Sequence, residues 1–272
     1  MAVISANGAR FHVQRLEPEA PAENAPLVVF VHGLVMDNLS SFYYTLAGPA
    51  VNAGARVLLY DLRGHGRSER TPRGYTTADA AADLCGVLDA CGVTEPAYLA
   101  GNSYGGLVAA RTALLAPERV AGLALIEASC AGAPAAEWLE SIVNAMSAGA
   151  LNLEYQRTVE AFVEAGQRKV ARMAQQAEAL LNQTSLIDDL AAERPLDAVE
   201  LANLACRVLA VYGEHSDLAG GAGDLRRHVR DGRVEMISGL AHTVLRDATG
   251  QLSRLLLDWL PLQAAVGGAG VR

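Results

Sequence analysis

Short unbroken apolar runs alternate with amphipathic stretches from the start of the chain to Glu127. The segments "PLVVFVHG", "ARVLLYD", "PAYLAGNS" and "RVAGLALIE" are rich in aliphatic residues and end on polar residues or glycine, as strands buried on both faces do. Between them, "TTADAAADLCGVLDACGV" opens on a threonine suited to cap a helix and sets Ala81, Leu84, Val87 and Leu88 on one helical face. "GGLVAARTALLAPERV" predicts a second helix, which Pro117 stops. This alternation predicts a parallel sheet with crossover helices. The opening "AVISANGARFHVQRL" differs: Asn7-Gly8 accepts the positive φ angles of a tight hairpin, so an antiparallel edge is expected there.

The rhythm changes after Glu127. From Ala128 to Ala205 no strand pattern recurs, and apolar residues fall at helical spacing. Trp138, Ile142, Val143 and Met146 form one stripe; Val159, Phe162, Val163, Val170, Met173, Ala177, Leu180 and Leu181 form another. Such stripes pack chiefly on one another, but a helical insertion between two strands can also roof a pocket. Trp138, Tyr155, Phe162 and Met173 are candidates to shape it. Strands resume with "CRVLAVYG" and "GRVEMIS", and a last helix, "TGQLSRLLLDWLP", stops at Pro261.

Composition narrows the class. The 272 residues are 51% hydrophobic and 19% charged, as expected of an ordered globular chain. A formal net charge of −8 argues against nonspecific attraction to nucleic acid or to an anionic membrane. The N-terminus has no basic region followed by a long apolar stretch, and no segment reaches the ~18 apolar residues of a membrane span, so a cytoplasmic protein is expected. Cys85, Cys91, Cys130 and Cys206 lack metal-ligand spacing and read as small buried thiols; no metal is expected.

The chemistry concentrates at Gly101-Asn102-Ser103-Tyr104-Gly105, a GxSxG sequence at a predicted strand-to-helix junction. A turn that lifts the Ser103 hydroxyl above the sheet crowds its backbone, which small residues two before and two after the serine relieve. The following helix points free N–H groups at charge developing on an attacked carbonyl. Serine needs a base held by a carboxylate. His242, between the last strand and the last helix, can hang over the sheet's carboxyl edge; His12, His32, His65, His215 and His228 read as surface or structural residues. For the acid, Asp217 in the loop after "VLAVYG" ranks first, then Glu127 at the end of its strand, then Glu214. The backbone N–H groups of Leu34, after His32-Gly33, and of Tyr104 are the candidate oxyanion donors.

The segments "HGLVMD" at 32–37, "DLRGHGRS" at 61–68, "GNSYGG" at 101–106, "YGEHSD" at 212–217 and "GLAHTVL" at 239–245 together resemble the α/β-hydrolase superfamily over nearly the whole chain. The resemblance implies an α/β-hydrolase fold: a mostly parallel eight-stranded sheet flanked by helices, with a core of residues 1–128 and 206–272 and a helical cap over 129–205. It implies that Asp61, His65 and Ser68 are mainly architectural. One departure stands out, since the family's acid usually follows the glycine by three residues, where this chain has Ser216.

The expected function is a cofactor-independent serine hydrolase that cleaves an ester, lactone or thioester of a small or medium acyl substrate through an acyl-enzyme on Ser103. The same residues suit a carbon–carbon bond hydrolase, as the form of the "GNSYGG" elbow suggests by analogy. They also suit lyase, elimination or acyl-transfer chemistry, in which His242 abstracts a proton and Ser103 only positions the substrate. Specialised metabolism is one setting for such an activity.

Overall fold

The computed structural model describes residues 2–155 and 168–262. Eight strands form one sheet: β1 (Ala2–Ala6), β2 (Ala9–Leu16), β3 (Leu27–Val31), β4 (Arg56–Tyr60), β5 (Ala97–Asn102), β6 (Val120–Ile126), β7 (Arg207–Gly213) and β8 (Gly232–Ile237). Their order is β1-β2-β4-β3-β5-β6-β7-β8, antiparallel at β1/β2 and β2/β4 and parallel from β4 to β8. The hairpin turns on Asn7 and Gly8, both at positive φ (41° and 73°), the geometry that this dipeptide accepts.

The central strands are apolar on both sides because both sides are covered. Val29, Val31, Leu58 and Tyr60 face one core, and Val28, Phe30, Val57 and Leu59 face the other, a two-residue alternation within each strand. The first core is closed by α1 (Thr77–Ala90) and α2 (Tyr104–Leu115). Leu84, Val87 and Leu88 form the buried stripe of α1, and Thr76 and Asp79 close its N-terminus as a capping box. The second core is closed by the helical stretch 40–52 and by the terminal helix Thr249–Trp259, which contributes Leu252, Leu256 and Trp259.

Between β6 and β7 lie α3 (Gly132–Tyr155), α4 (Arg168–Asn182), α5 (Leu186–Ala191) and α6 (Ala198–Ala202). Trp138, Met146, Ala177, Leu180 and Leu181 are buried, and Ile142 and Val143 pack against them. Val159, Phe162 and Val163 lie outside the described residues, as do the side chains of Tyr155 and Val170.

This helical segment is fastened to the sheet by polar contacts. Its entry and exit are tied by the Leu196 N–H donating to the Cys130 carbonyl at 2.8 Å. Asp189 accepts the Tyr75 N–H at 3.0 Å, and the Ser185 N–H donates to the Pro72 carbonyl at 2.9 Å. On the other side, Arg111 of α2 meets Glu193 at 3.1 Å and Glu200 at 3.3 Å. Among the described residues no helix is long and apolar enough to cross a membrane.

Candidate active site

Ser103 sits between β5 and α2 with φ 53° and ψ −121°, a conformation that costs a non-glycine residue of order 1–3 kcal/mol. Its neighbours explain how the strain is held. A Cβ on Gly101 would lie 2.2 Å from the Gly105 carbonyl oxygen, and one on Gly105 would lie 2.0 Å from the Val31 carbonyl oxygen. Only glycine fits at either position. The Ser103 N–H donates to the Ile126 carbonyl at 2.8 Å, which pins the elbow to β6.

The same edge of the sheet brings in His242. The turn that carries it is pressed on the end of β7: the His215 N–H donates to the Leu240 carbonyl at 2.8 Å, and a Cβ on Gly213 would lie 2.4 Å from the carbonyl oxygens of Leu240 and Ala241. His242 Nδ1 lies 3.1 Å from Glu127 Oε2. With the ring neutral, that contact places the proton on Nδ1 and leaves the lone pair on Nε2.

Glu127 is 1% exposed and follows directly on β6, with its own N–H on the Val211 carbonyl at 2.9 Å. Its carboxylate accepts the Gly213 N–H at one oxygen and the Ser216 hydroxyl at the other, the oxygen that also meets His242. Three donors thus converge on one buried carboxylate.

The first-ranked acid is elsewhere. Asp217 is exposed and opens a short 3₁₀ turn, Asp217–Gly221, and among the described residues no hydrogen bond or ion pair joins it to His242. The displacement is one of register: Ser216 turns inward, capping the Leu218 N–H at 3.2 Å, and so sends the next side chain outward. Glu214 also stays clear, bonded to the Gly239 N–H at 3.0 Å. Sequence reasoning placed Ser216 at the usual acid position without assigning it a partner; its hydroxyl on Glu127 was the missing link.

Gly33 and Leu34 lie beside the elbow, since a Cβ on Gly33 would sit 3.7 Å from Ser103 Cβ. The Gly33 N–H donates to Asp37 Oδ2 at 2.8 Å, and the Gly33 carbonyl accepts from His32 Nδ1 at 2.7 Å. The carbonyl of Leu34 accepts the Met36 N–H at 3.0 Å. Among the described residues, the N–H groups of Leu34 and Tyr104 have no protein acceptor. The Tyr104 ring is buried, its hydroxyl donating to the Tyr75 carbonyl at 3.3 Å, and burial raises its pKa.

Buried Asp61 and His12, with half-buried Ser68, form a separate set that ties β2 to the loop after β4. His12 Nδ1 meets Asp61 at 2.7 Å, and Asp61 also accepts the N–H groups of Leu39 at 2.8 Å and Arg67 at 2.9 Å. Among the described residues no group of three or more His, Cys, Asp or Glu side chains is placed to hold a metal ion.

A family model described as the alpha/beta hydrolase fold matches residues 26–225. The chain belongs to the α/β-hydrolase family. Several of its relatives carry hydrolase names. It is 35% identical over 132 residues to Epoxide hydrolase B of Mycobacterium tuberculosis, covering 48% of this chain and 36% of that protein. It is 42% identical over 90 residues to the Putative carbamate hydrolase RutD of Variovorax paradoxus, covering 33% and 34%. A longer match, 31% over 215 residues, reaches the dihydrolipoyllysine-residue acetyltransferase component of the acetoin cleaving system of Cupriavidus necator, covering 70% and 51%. The chain thus spans about a third to a half of the length of these curated relatives. Among solved structures, this α/β-hydrolase superposes on the enol-lactonase of Burkholderia xenovorans with a TM-score of 0.70 at 19% identity, covering 94% of this chain and 98% of that one. A thermophilic esterase of Thermogutta terrifontis gives 0.70 at 20%, covering 95% and 97%. At such identities the likeness is one of fold.

Proposed function

We propose that this α/β-hydrolase is a cofactor-independent serine hydrolase that cleaves an ester, lactone or thioester of a small or medium acyl substrate, with Ser103 as nucleophile, His242 as base and Glu127 as the acid. The observation that carries this reading is the Glu127–His242 contact at the sheet edge where Ser103 is held in its strained turn. Ser103 Oγ attacks the carbonyl carbon as His242 Nε2 takes its proton, and Glu127 holds the imidazolium that results. The N–H groups of Leu34 and Tyr104 receive the oxyanion. Collapse of the tetrahedral intermediate expels the alcohol or thiol, which takes the proton from His242. Water, deprotonated by the same histidine, then releases the acid and restores Ser103. Helices α3 to α6, within residues 129–205, serve as the cap that bounds the substrate. The reading places the enzyme in the cytoplasm, and the net charge of −8 fits action on small molecules rather than on nucleic acid.

The acetyltransferase relative favours one second reading: the same acyl-enzyme passing its acyl group to an acceptor other than water. Both readings require Ser103. A fluorophosphonate probe is expected to label the wild-type protein at Ser103 and to leave Ser103→Ala unlabelled; equal labelling of the alanine variant contradicts the assignment.

A further inference from the structure

Two buried histidines brace the loop that carries the Leu34 N–H, and they do so reciprocally. His32, on the 32–35 loop, accepts the Leu62 N–H at Nε2 (2.9 Å). His65, on the 61–65 loop, accepts the Val35 N–H at Nε2 (2.9 Å). Each ring's Nδ1 donates to a carbonyl, that of Gly33 for His32 and that of Arg63 for His65, at 2.7 and 2.8 Å. A backbone N–H can only donate and a carbonyl can only accept, so these partners demand the neutral Nδ1–H tautomer in both rings. Burial, reinforced by the neighbouring His32, agrees with this and pushes the His65 pKa down to about 3.

The brace matters because Val35 is held at φ 64°, which a β-branched residue adopts only under compulsion. Of the four non-glycine residues at positive φ among those described, Asn7 makes the hairpin; Val35, Ser103 and Glu127 stand on the loops of the candidate site. Val35 packs on the core, and the Met36 N–H closes a turn across it onto the Leu34 carbonyl at 3.0 Å. On the Leu34 side the loop is less constrained: Leu34, Leu62, His65, Tyr75, Tyr104 and Leu186 line a cavity of about 20 Å³, a space the size of one water. The bond to His65 is the one that holds the N–H of the peptide immediately after Leu34.

We propose that His65 is a positioning residue that aims the Leu34 N–H at the oxyanion by holding the Val35 N–H. This rests on the serine-hydrolase reading, and His65 touches no reacting atom. Two variants separate positioning from bulk. Asparagine can keep the bond to the Arg63 carbonyl but cannot reach Val35; glutamine places an acceptor near the position of Nε2 and can take the Val35 N–H.

The test is hydrolysis of p-nitrophenyl butyrate, inhibition by a trifluoromethyl ketone that adopts the tetrahedral form, and amide hydrogen exchange at Val35. In His65→Asn, kcat is expected to fall about 10- to 100-fold at nearly constant KM, below the loss of a whole donor. Affinity for the ketone should fall in parallel, and Val35 exchange should quicken. His65→Gln should recover most of all three. Wild-type kcat and exchange in folded His65→Asn, or equal losses in both variants, overturn the positioning role. Undiminished turnover by Ser103→Ala would instead overturn the hydrolase reading, while Val35 exchange still judges the brace.

Discussion

Glu127 Oε2 lies 3.1 Å from His242 Nδ1 across 115 positions of sequence, and the same oxygen accepts the Ser216 hydroxyl. The carboxylate that orients the histidine therefore leaves β6, and the loop after β7 contributes a hydroxyl in the place where the family's acid usually stands.

Glu127→Gln is expected to lower kcat by about 10³- to 10⁴-fold, because an amide can present a donor to Nδ1 and stabilises the imidazolium poorly. Asp217→Asn should leave kcat near the wild-type value. Steady-state kinetics of the two variants decide the point: a large loss in Asp217→Asn with an active Glu127→Gln reverses the assignment.

The geometry also predicts a transplant. Ser216 already touches the Glu127 carboxylate, so Glu127→Ala should be inactive and Glu127→Ala/Ser216→Asp should regain activity as the new carboxylate approaches Nδ1. A double variant no more active than Glu127→Ala, yet folded, speaks against it.

Two glycines with opposite surroundings test the elbow. Gly105→Ala forces a Cβ to within 2.0 Å of the Val31 carbonyl oxygen, rigid strand backbone, and should cost about 3 kcal/mol or more. Gly149, inside α3, has no atom within 4 Å of a built Cβ, so Gly149→Ala should stabilise by about 0.5–1 kcal/mol. Denaturant unfolding measures both; similar stabilities for the two variants would disprove the crowding at Gly105.

His65 gives a pH dependence whose sign follows from its lowered pKa. The folded ring protonates only near about 3, whereas an unfolded histidine protonates at ~6.5. Between these values the unfolded chain binds the extra proton, so the contribution is complete above ~6.5 and is lost as pH falls towards the folded value. The slope from this one group is at most about 1.4 kcal/mol per pH unit. Unfolding of wild type and His65→Gln between pH 4 and 7 should show a flatter dependence in the variant; parallel curves would contradict it.

Much of the fold was legible because local signals agreed. Asn7-Gly8 marked the hairpin, Thr76 the start of α1 and Gly101–Gly105 the elbow, each through chemistry contained in a few residues. The place of His242 at the sheet's carboxyl edge was legible because it alone among six histidines follows the last strand. Which carboxylate meets His242 was not, since Asp217, Glu214 and Glu127 are equivalent as carboxylates in loops, and only the pairing of β6 with β7 and the turn at Ser216 decide which one is buried. One signal agrees with the Glu127–His242 contact: an apolar strand ending directly on Glu127, coupled with a serine at the expected acid position. The role of His65 was hidden for a similar reason. Its motif marks a tight loop, but its contact with Val35 depends on how two loops meet above β3 and β4.

The most direct test is rapid-quench mass spectrometry during turnover of p-nitrophenyl butyrate. The expected result is a transient butyryl group on the peptide containing Ser103, formed in a burst of p-nitrophenol and lost at the rate of steady-state turnover. With oxygen-18 water, the label should enter the released butyrate. Turnover with no adduct on Ser103 and no label in the acid product would contradict an acyl-enzyme hydrolase.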